Sequence, residues 1–241
     1  MGRHGACPCG ADACTLRRAV IPVEEALALF AERLADTLDL REHGTGLHSR
    51  RVACHTLVLA RHVLDDPDAL RQVYFGALLH DVGKIGIPDR VLCKPGPLDE
   101  EEWGLMRRHP ELGWGLLAGI QGMEAAAELV LCHHERWDGA GYPRGLRGAG
   151  IPLGARLFAV IDALDAMVSR RAYGQPRDFE AACGEIAREA GRAFDPEAVA
   201  LFTKERETLA GMVEAACAAR PPEAPQPWGG GRSPPRVKGR G

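Results

Sequence analysis

The sequence predicts an all-α helical bundle, on three observations. From Pro22 to about Arg206, apolar residues recur at three- and four-residue spacing, the period of a helix that buries one stripe. No run alternates apolar and polar residues as a half-buried strand would, and aromatic residues make up only 5% of the chain. Gly and Pro punctuate the periodic stretches and mark where helices end.

The elements follow in order. Residues 1–20 are glycine-rich and aperiodic, and are expected to form a disordered leader. Cys7, Cys9 and Cys14 cluster there beside His4, in a spacing that matches no strong zinc pattern. Residues 21–40 form an N-terminal helix through Val23, Ala26, Leu27, Phe30, Leu34 and Leu38. His48, Val52, His55 and Leu59 lie at i, i+4, i+7 and i+11, one face of the next helix. Leu70, Val73, Ala77 and His80 mark another, expected to stop at Gly83 with Asp81 in its last turn. Asp99 and Glu102 form a capping box that opens a helix through Trp103, Met106 and His109, after which Pro110 starts a new turn. Ala126, Val130, His133 and His134 share a face. So do Leu157, Ile161, Leu164 and Val168, on a helix that also carries Asp162 and Asp165. A helix end is expected over 209–219. Residues 220–241 form a basic Pro/Gly tail too poor in apolar residues to order itself.

At 241 residues, 46% hydrophobic and 26% charged, the chain can bury one helical core without disulfides or metal staples. Its 30 Lys+Arg against 33 Asp+Glu leave a net charge of −3, which excludes a globally basic nucleic-acid binder; no specific nucleic acid is expected. No apolar run approaches the roughly 18 residues of a membrane helix, and the first residues lack a signal-peptide stretch. A cytoplasmic protein with no membrane association is the expectation. Cys54, Cys93, Cys132, Cys183 and Cys217 are scattered singly, as reduced thiols are.

Polar residues at the inward ends of the apolar stripes require an explanation. His80 follows Val73 and Ala77, and His133 and His134 follow Val130. Buried groups of this kind are costly unless paired, hydrogen-bonded or bound to metal. His80-Asp81 is an adjacent imidazole and carboxylate, and His133-His134 is a second adjacent pair. His109 and His48 come from two further helices, and Asp162 adds a carboxylate within an apolar stripe. Taken singly, such a histidine is more often a satisfied core or surface residue. Five intrusions on five helices would need five separate explanations, whereas together they make an N/O site for iron, manganese or zinc. Asp81 could bridge two metals.

These residues also carry a family resemblance. His80-Asp81-Val82-Gly83-Lys84-Ile85-Gly86-Ile87-Pro88-Asp89, followed by Lys94-Pro95-Gly96-Pro97-Leu98, resembles the HD-GYP domain of the HD-superfamily metal-dependent phosphohydrolases. So does the run from His133-His134-Glu135 through Gly141-Tyr142-Pro143 to Leu146. Ile151-Pro152-Leu153, Asp162, Asp165-Ala166-Met167, Arg171-Ala172-Tyr173 and Phe194-Asp195-Pro196 continue the match in order. The resemblance spans about residues 41–206, and the domain is set at 41–208.

What the resemblance implies is a metal-dependent phosphodiesterase that opens cyclic di-GMP to linear pGpG, GMP or both. Carried over by position, the metal ligands would be His48, His80, Asp81, His109, His133, His134 and Asp162. Lys84 matches the family's catalytic lysine, acting beside Asp81. Tyr142, with Gly141 and Pro143 of the same element and Arg171, matches residues that hold the substrate. Two divalent ions are implied, iron or manganese first, with zinc, magnesium, nickel or cobalt compatible with the same donors. Some members add a third metal through a Glu four residues before the first histidine. Here that position is Gly44, with Glu42 and His43 out of register, so two are expected. Gly174 replaces a basic residue that often holds a phosphate, a loss that Arg170, Arg171 or Arg177 could offset.

The chemistry of the residues agrees with that function. A phosphodiester is anionic and resists nucleophiles. Two metals lower the pKa of a shared water and clamp the phosphoryl oxygens, Lys84 would stabilise charge built up in the transition state, and Arg171 would pair with the second phosphate. Gly139–Gly141 reads either as a plain surface turn or as backbone that approaches a substrate while Tyr142 stacks on a guanine. Trp103 and Trp137 are expected to pack, and Arg107, Arg108, Arg144 and Arg147 either ring the entrance or are solvated. Two alternatives stand beside the leading one: a hydrolase of another cyclic dinucleotide or nucleotide, and a non-catalytic dinucleotide-binding or protein-interaction module. A homodimer follows if the 22–40 helix pairs with its copy. With no sensory domain expected before the HD-GYP unit, regulation would come from a signalling partner, oligomerisation or that helix.

Overall fold

The structure is a computed structural model and describes residues 23–41, 48–169 and 177–215. Its helices are α1 (Val23–Arg41), α2 (His48–Ala60), α3 (Pro67–Leu78), α4 (Asp89–Leu92), α5 (Glu100–Met106), α6 (His109–Leu117), α7 (Glu124–Cys132), α8 (Leu153–Val168), α9 (Phe179–Arg188), α10 (Pro196–Lys204) and α11 (Arg206–Glu214). Two 3-10 turns, Val82–Gly86 and Gly148–Gly150, join them, and the described residues hold no strand beyond an isolated bridge between Ala190 and Phe194. No described helix is long and apolar enough to cross a membrane. The leader, Gly44, Arg171, Gly174 and the basic tail lie outside the described residues, as do Cys7, Cys9, Cys14 and Cys217.

Several helix starts are written locally. Asp66 accepts hydrogen bonds from the amides of Asp68 and Ala69, and Pro67 opens α3 with a preset φ. Asp99 and Glu102 cap α5 reciprocally. Asp195 caps α10 by accepting from the Glu197 amide, ahead of Pro196 at the first helical position. α3 packs between α2 and α7, and α8 lies against α2. Phe75, Leu78, Leu129, Phe158, Ile161 and Leu164 are fully buried in the core of these helices. Burying such a side chain contributes roughly 1.5–3 kcal/mol. α9 and α10 close the side of α8 with Ile186 and Phe202. α1 buries Ala28, Ala31, Ala35 and Leu38 and leaves Leu27, Leu29, Phe30 and Leu40 exposed.

Four expectations are corrected. α3 ends at Leu78, not at Gly83, and His80 and Asp81 stand in the turn beyond it. There the chain tightens into i→i+3 bonds, from the Val82 amide to Leu79 and from the Lys84 amide to Asp81. The helix opened by Asp99 stops at Met106, and His109 is already the first residue of α6. His133 and His134 follow the end of α7 rather than riding on its face. Trp103, expected to pack, is largely exposed.

Candidate metal centre

Three of the histidines stand at a helix end, and the backbone there fixes each ring. The last carbonyls of a helix lack intrahelical partners. His80 just past α3, His109 just past α5 and His133 just past α7 each turn Nδ1 onto the carbonyl three residues back. The acceptors are Ala77 at 2.8 Å, Met106 at 2.8 Å and Val130 at 2.6 Å. A carbonyl only accepts, so Nδ1 carries the hydrogen and Nε2 presents a lone pair to the interior. His48 opens α2. Its Nδ1 meets Asp165 at 2.7 Å instead.

The side chains converge in two groups. Donor atoms of His109, His133 and His134 all lie within 4.8 Å of one another, as do those of His48, His80 and Asp162. Asp81 stands between them. One of its oxygens is 3.0 Å from His80 Nε2, and the other is 3.3 Å from His109 Nε2 and 3.9 Å from His133 Nε2. Lys84 Nζ pairs with Asp81 Oδ2 at 2.7 Å, because residues three apart in a 3-10 turn eclipse.

The donors fit divalent cations. His109 and His133 face each other Nε2 to Nε2 at 3.1 Å, with both hydrogens committed to Nδ1. Two lone pairs at that distance repel unless a proton or a cation stands with them. Burial lowers the pKa of His109, and burial with His134 and His80 nearby lowers that of His133 further, which disfavours the proton. Burial and His109 likewise push His134 down to about 4. His80 is the contrast: burial opposes its charge, but Asp81 raises it to about 9. Asp81 itself is held well below the carboxylate range: burial raises it, but the positive groups around it, His80 first and then Lys84, outweigh that. Neutral imidazoles around a shared carboxylate suit a borderline divalent metal.

The structure thus brings together all seven ligands expected from the sequence, and Lys84 with them. Tyr142 joins them by stacking on His134, with ring centroids 4.8 Å apart and planes 26° from parallel. Arg107 reaches over the same tyrosine at 5.7 Å. Gly141 has an internal reason to be glycine: a Cβ there would overlap the backbone of His134, Glu135 and Arg136. Pro143 follows Tyr142 through a cis peptide bond. Arg144, offered as an entrance residue, pairs with Glu128 on the surface.

Other participants were given no role at the site from the sequence. Asp165 is buried and held by Arg51, Nε to Oδ1 at 2.7 Å and Nη2 to Oδ2 at 3.0 Å. His48 and Arg51 are three apart on α2, and Asp162 and Asp165 three apart on α8, the helical spacing that could have revealed the network. Buried Glu135 accepts from the amides of Arg144 at 2.7 Å and Leu146 at 3.0 Å, which folds the Tyr142 loop back onto the site. Below it, Arg156 pairs with Asp195 at 2.6 Å and lies over Trp137. Gly83 lets the 3-10 turn touch α6, since a Cβ there would overlap the His109 carbonyl.

With this geometry in view, comparisons with known proteins become informative. A family model described as an HD domain matches residues 32–198. A cyclic di-GMP phosphodiesterase of Thermotoga maritima is 42% identical over 168 residues, covering 69% of this chain and 46% of that protein. A 3′3′-cGAMP-specific phosphodiesterase of Vibrio cholerae is 37% identical over 186 residues, covering 76% of this chain and 35% of the relative. This chain therefore spans less than half the length of these two relatives. A solved structure of a cyclic GMP-AMP-specific phosphodiesterase of V. cholerae superposes with a TM-score of 0.60 at 19% identity, covering 78% of this chain and 49% of the other. That likeness establishes the fold.

Proposed function

Because the chain belongs to the HD-domain family, we propose that it is a divalent-metal-dependent phosphodiesterase that opens cyclic di-GMP to linear pGpG, GMP or both. The observation that carries this reading is Asp81, whose two oxygens face different histidine groups while Lys84 pairs with one of them. His48, His80, Asp81 and Asp162 would hold one cation, and Asp81, His109, His133 and His134 the other. Iron or manganese is the first choice. When bound, such a pair neutralises phosphodiester oxygens and acidifies water.

The chain's own groups do the rest. Lys84 would meet the charge that builds on the phosphoryl oxygens as water oxygen bonds to phosphorus and the bond to the leaving ribose oxygen breaks. Tyr142, its phenol pushed up to about 12 by burial, stays a protonated donor at neutral pH beside His134. Pro143 and Gly141 shape the loop that presents it, and Arg171 would pair with the second phosphate. A cytoplasmic setting belongs to the same proposal.

The test is metal content and cyclic di-GMP hydrolysis measured together on anaerobically purified protein supplied with iron or manganese. Close to two metals per chain with pGpG or GMP released is the expected result. Bound metal without turnover on any cyclic dinucleotide would overturn it. The V. cholerae relative favours a second reading, 3′3′-cGAMP as the preferred substrate, which competition between the two dinucleotides decides. Lys84→Ala should keep its metal and lose most of its turnover; an undiminished rate would remove Lys84 from the mechanism.

A further inference from the structure

Arg41, the last residue of α1, is a cation that this chemistry does not use. Its guanidinium donates from Nη1 to the carbonyls of Lys84 at 3.0 Å and Ile85 at 3.2 Å, and from Nη2 to Ile87 at 3.0 Å and to Asp89 Oδ1 at 2.6 Å. These carbonyls lie at the close of the 3-10 turn that carries Lys84, and that of Lys84 accepts from the Ile87 amide as well as from Arg41. A planar fork with five donors can satisfy several of them at once, and an ammonium cannot. The same end of α1 grips the other side of the site. Asp39 accepts from the Ser49 amide at 3.3 Å and hydroxyl at 2.8 Å, one residue beyond His48. Asp36 takes Arg50 at two points, both 2.7 Å. The end of α1 therefore ties the helix start that bears His48 to the turn that bears Asp81 and Lys84.

We propose that Arg41 is a positioning residue for Lys84: by holding the carbonyls of Lys84 and Ile85 in the 3-10 turn and of Ile87 just after it, it fixes where the lysine ammonium stands relative to Asp81. Arg41 touches neither the histidine groups nor Asp81, so its effect on the reaction runs through the turn. The proposal rests on the role assigned to Lys84 above, and the experiment separates the two. Arg41→Ala and Arg41→Lys are made alone and together with Lys84→Ala, and cyclic di-GMP kinetics are measured beside metal content.

Arg41→Ala should lower kcat by about tenfold to a hundredfold, the scale on which a displaced group costs rate, with KM and bound metal little changed. Arg41→Lys should recover little of the loss, and added guanidinium ion should recover part of it. In the Lys84→Ala background, removing Arg41 should cost nothing further, because residues acting through one another are not additive. An equal loss in both backgrounds, or a full rate for Arg41→Ala, would overturn the proposal. Hydrogen exchange supplies a readout independent of turnover. The amides of Lys84 and Ile87, bonded to the Asp81 and Lys84 carbonyls, should exchange faster in Arg41→Ala and Arg41→Lys, with α7 and α8 unaffected. If the parent hydrolyses no cyclic dinucleotide, the role of Lys84 fails, yet unchanged exchange at these amides is still what would sink the positioning claim. Exchange accelerated there alone would uphold it.

Discussion

At the His109–His133–His134 end of the centre, the rings of His109 and His133 are buried and take their orientation from main-chain carbonyls. At the other end the His48 side chain is 26% exposed, and its ring is held by a carboxylate, Asp165, which is in turn held by Arg51. The difference follows from where each histidine sits on its helix. A helix end offers unpaired carbonyls to whatever follows it, and a helix start offers only amides. Three histidines follow helix ends and need no side-chain support. His48 opens a helix, so the fold supplies Asp165 from α8. The rings of His109 and His133, and of His80 at the other end, are thus protected from substitution by being held by backbone, and the His48 ring is open to it.

The largest effect should come from the residue both ends share. Asp81→Ala should abolish turnover and lower metal content at both positions, read by metal analysis of the purified variant. If one equivalent stayed tightly bound, Asp81 would not bridge the two ends. His133→Ala is the narrower cut: it should empty its own end and leave the His48 end loaded.

Asp165→Asn probes the comparison itself. Losing the partner that orients a ligand histidine typically weakens metal affinity by roughly 10- to 100-fold. The expected result is one equivalent released at low chelator concentration and one retained, as at a wild-type His133 end. Asp165 is buried, and burial raises its pKa, but the hydrogen bonds from His48 and Arg51 outweigh that and hold it far below the carboxylate range. The substitution also removes the carboxylate that Arg51 pairs with, leaving its bond to Ser169 Oγ at 3.1 Å, so thermal stability is measured alongside. Equal weakening of both equivalents would show that the two ends are not held independently.

Several of the proposed ligands were legible as polar residues that interrupt an apolar stripe: His80 after Val73 and Ala77, His133 after Val130, Asp162 between Ile161 and Leu164. Their supports were not. Arg51 carried no signal and Asp165 only its place in a motif, and only the packing of α2 on α8 brings them together. The end of α3 was misplaced for a related reason. A 3-10 turn repeats every three residues, so the spacing from Leu70 to His80 runs on without a visible break where the α-helix stops. Glu135 was legible only as a member of the motif from His133 to Leu146, although two loop amides converge on its buried carboxylate. The capping residues Asp66, Asp99 and Asp195 act on their own neighbours, and Asp99 with Glu102 was readable for that reason.

The smallest effect at neutral pH, and the most specific, concerns the second histidine of α2. His48 and His55 share one helical face, seven residues apart, and the stripe pattern treats them alike. The fold does not, since His55 is buried in the core with 1% exposure. Burial pushes its pKa down to about 4; the charge of Asp165 pulls upward and that of Arg51 downward, so the network around His48 does little to offset the burial. His55 is therefore neutral in the fold, while an unfolded chain protonates it below about pH 6.5. Between those values the unfolded state binds the extra proton, so stability rises with pH and is lost on acidification. The loss attributable to His55 should reach about 3 kcal/mol once the pH falls below 4, and be absent at pH 8. Denaturant unfolding of the parent and His55→Asn across this range isolates it, because the ligand histidines titrate in both proteins and cancel in the difference. The gap between the two curves should shift in favour of the variant as the pH falls. Parallel curves would mean that His55 gains its proton within the fold, and that the Asp165 charge serves both histidines of α2 rather than His48 alone.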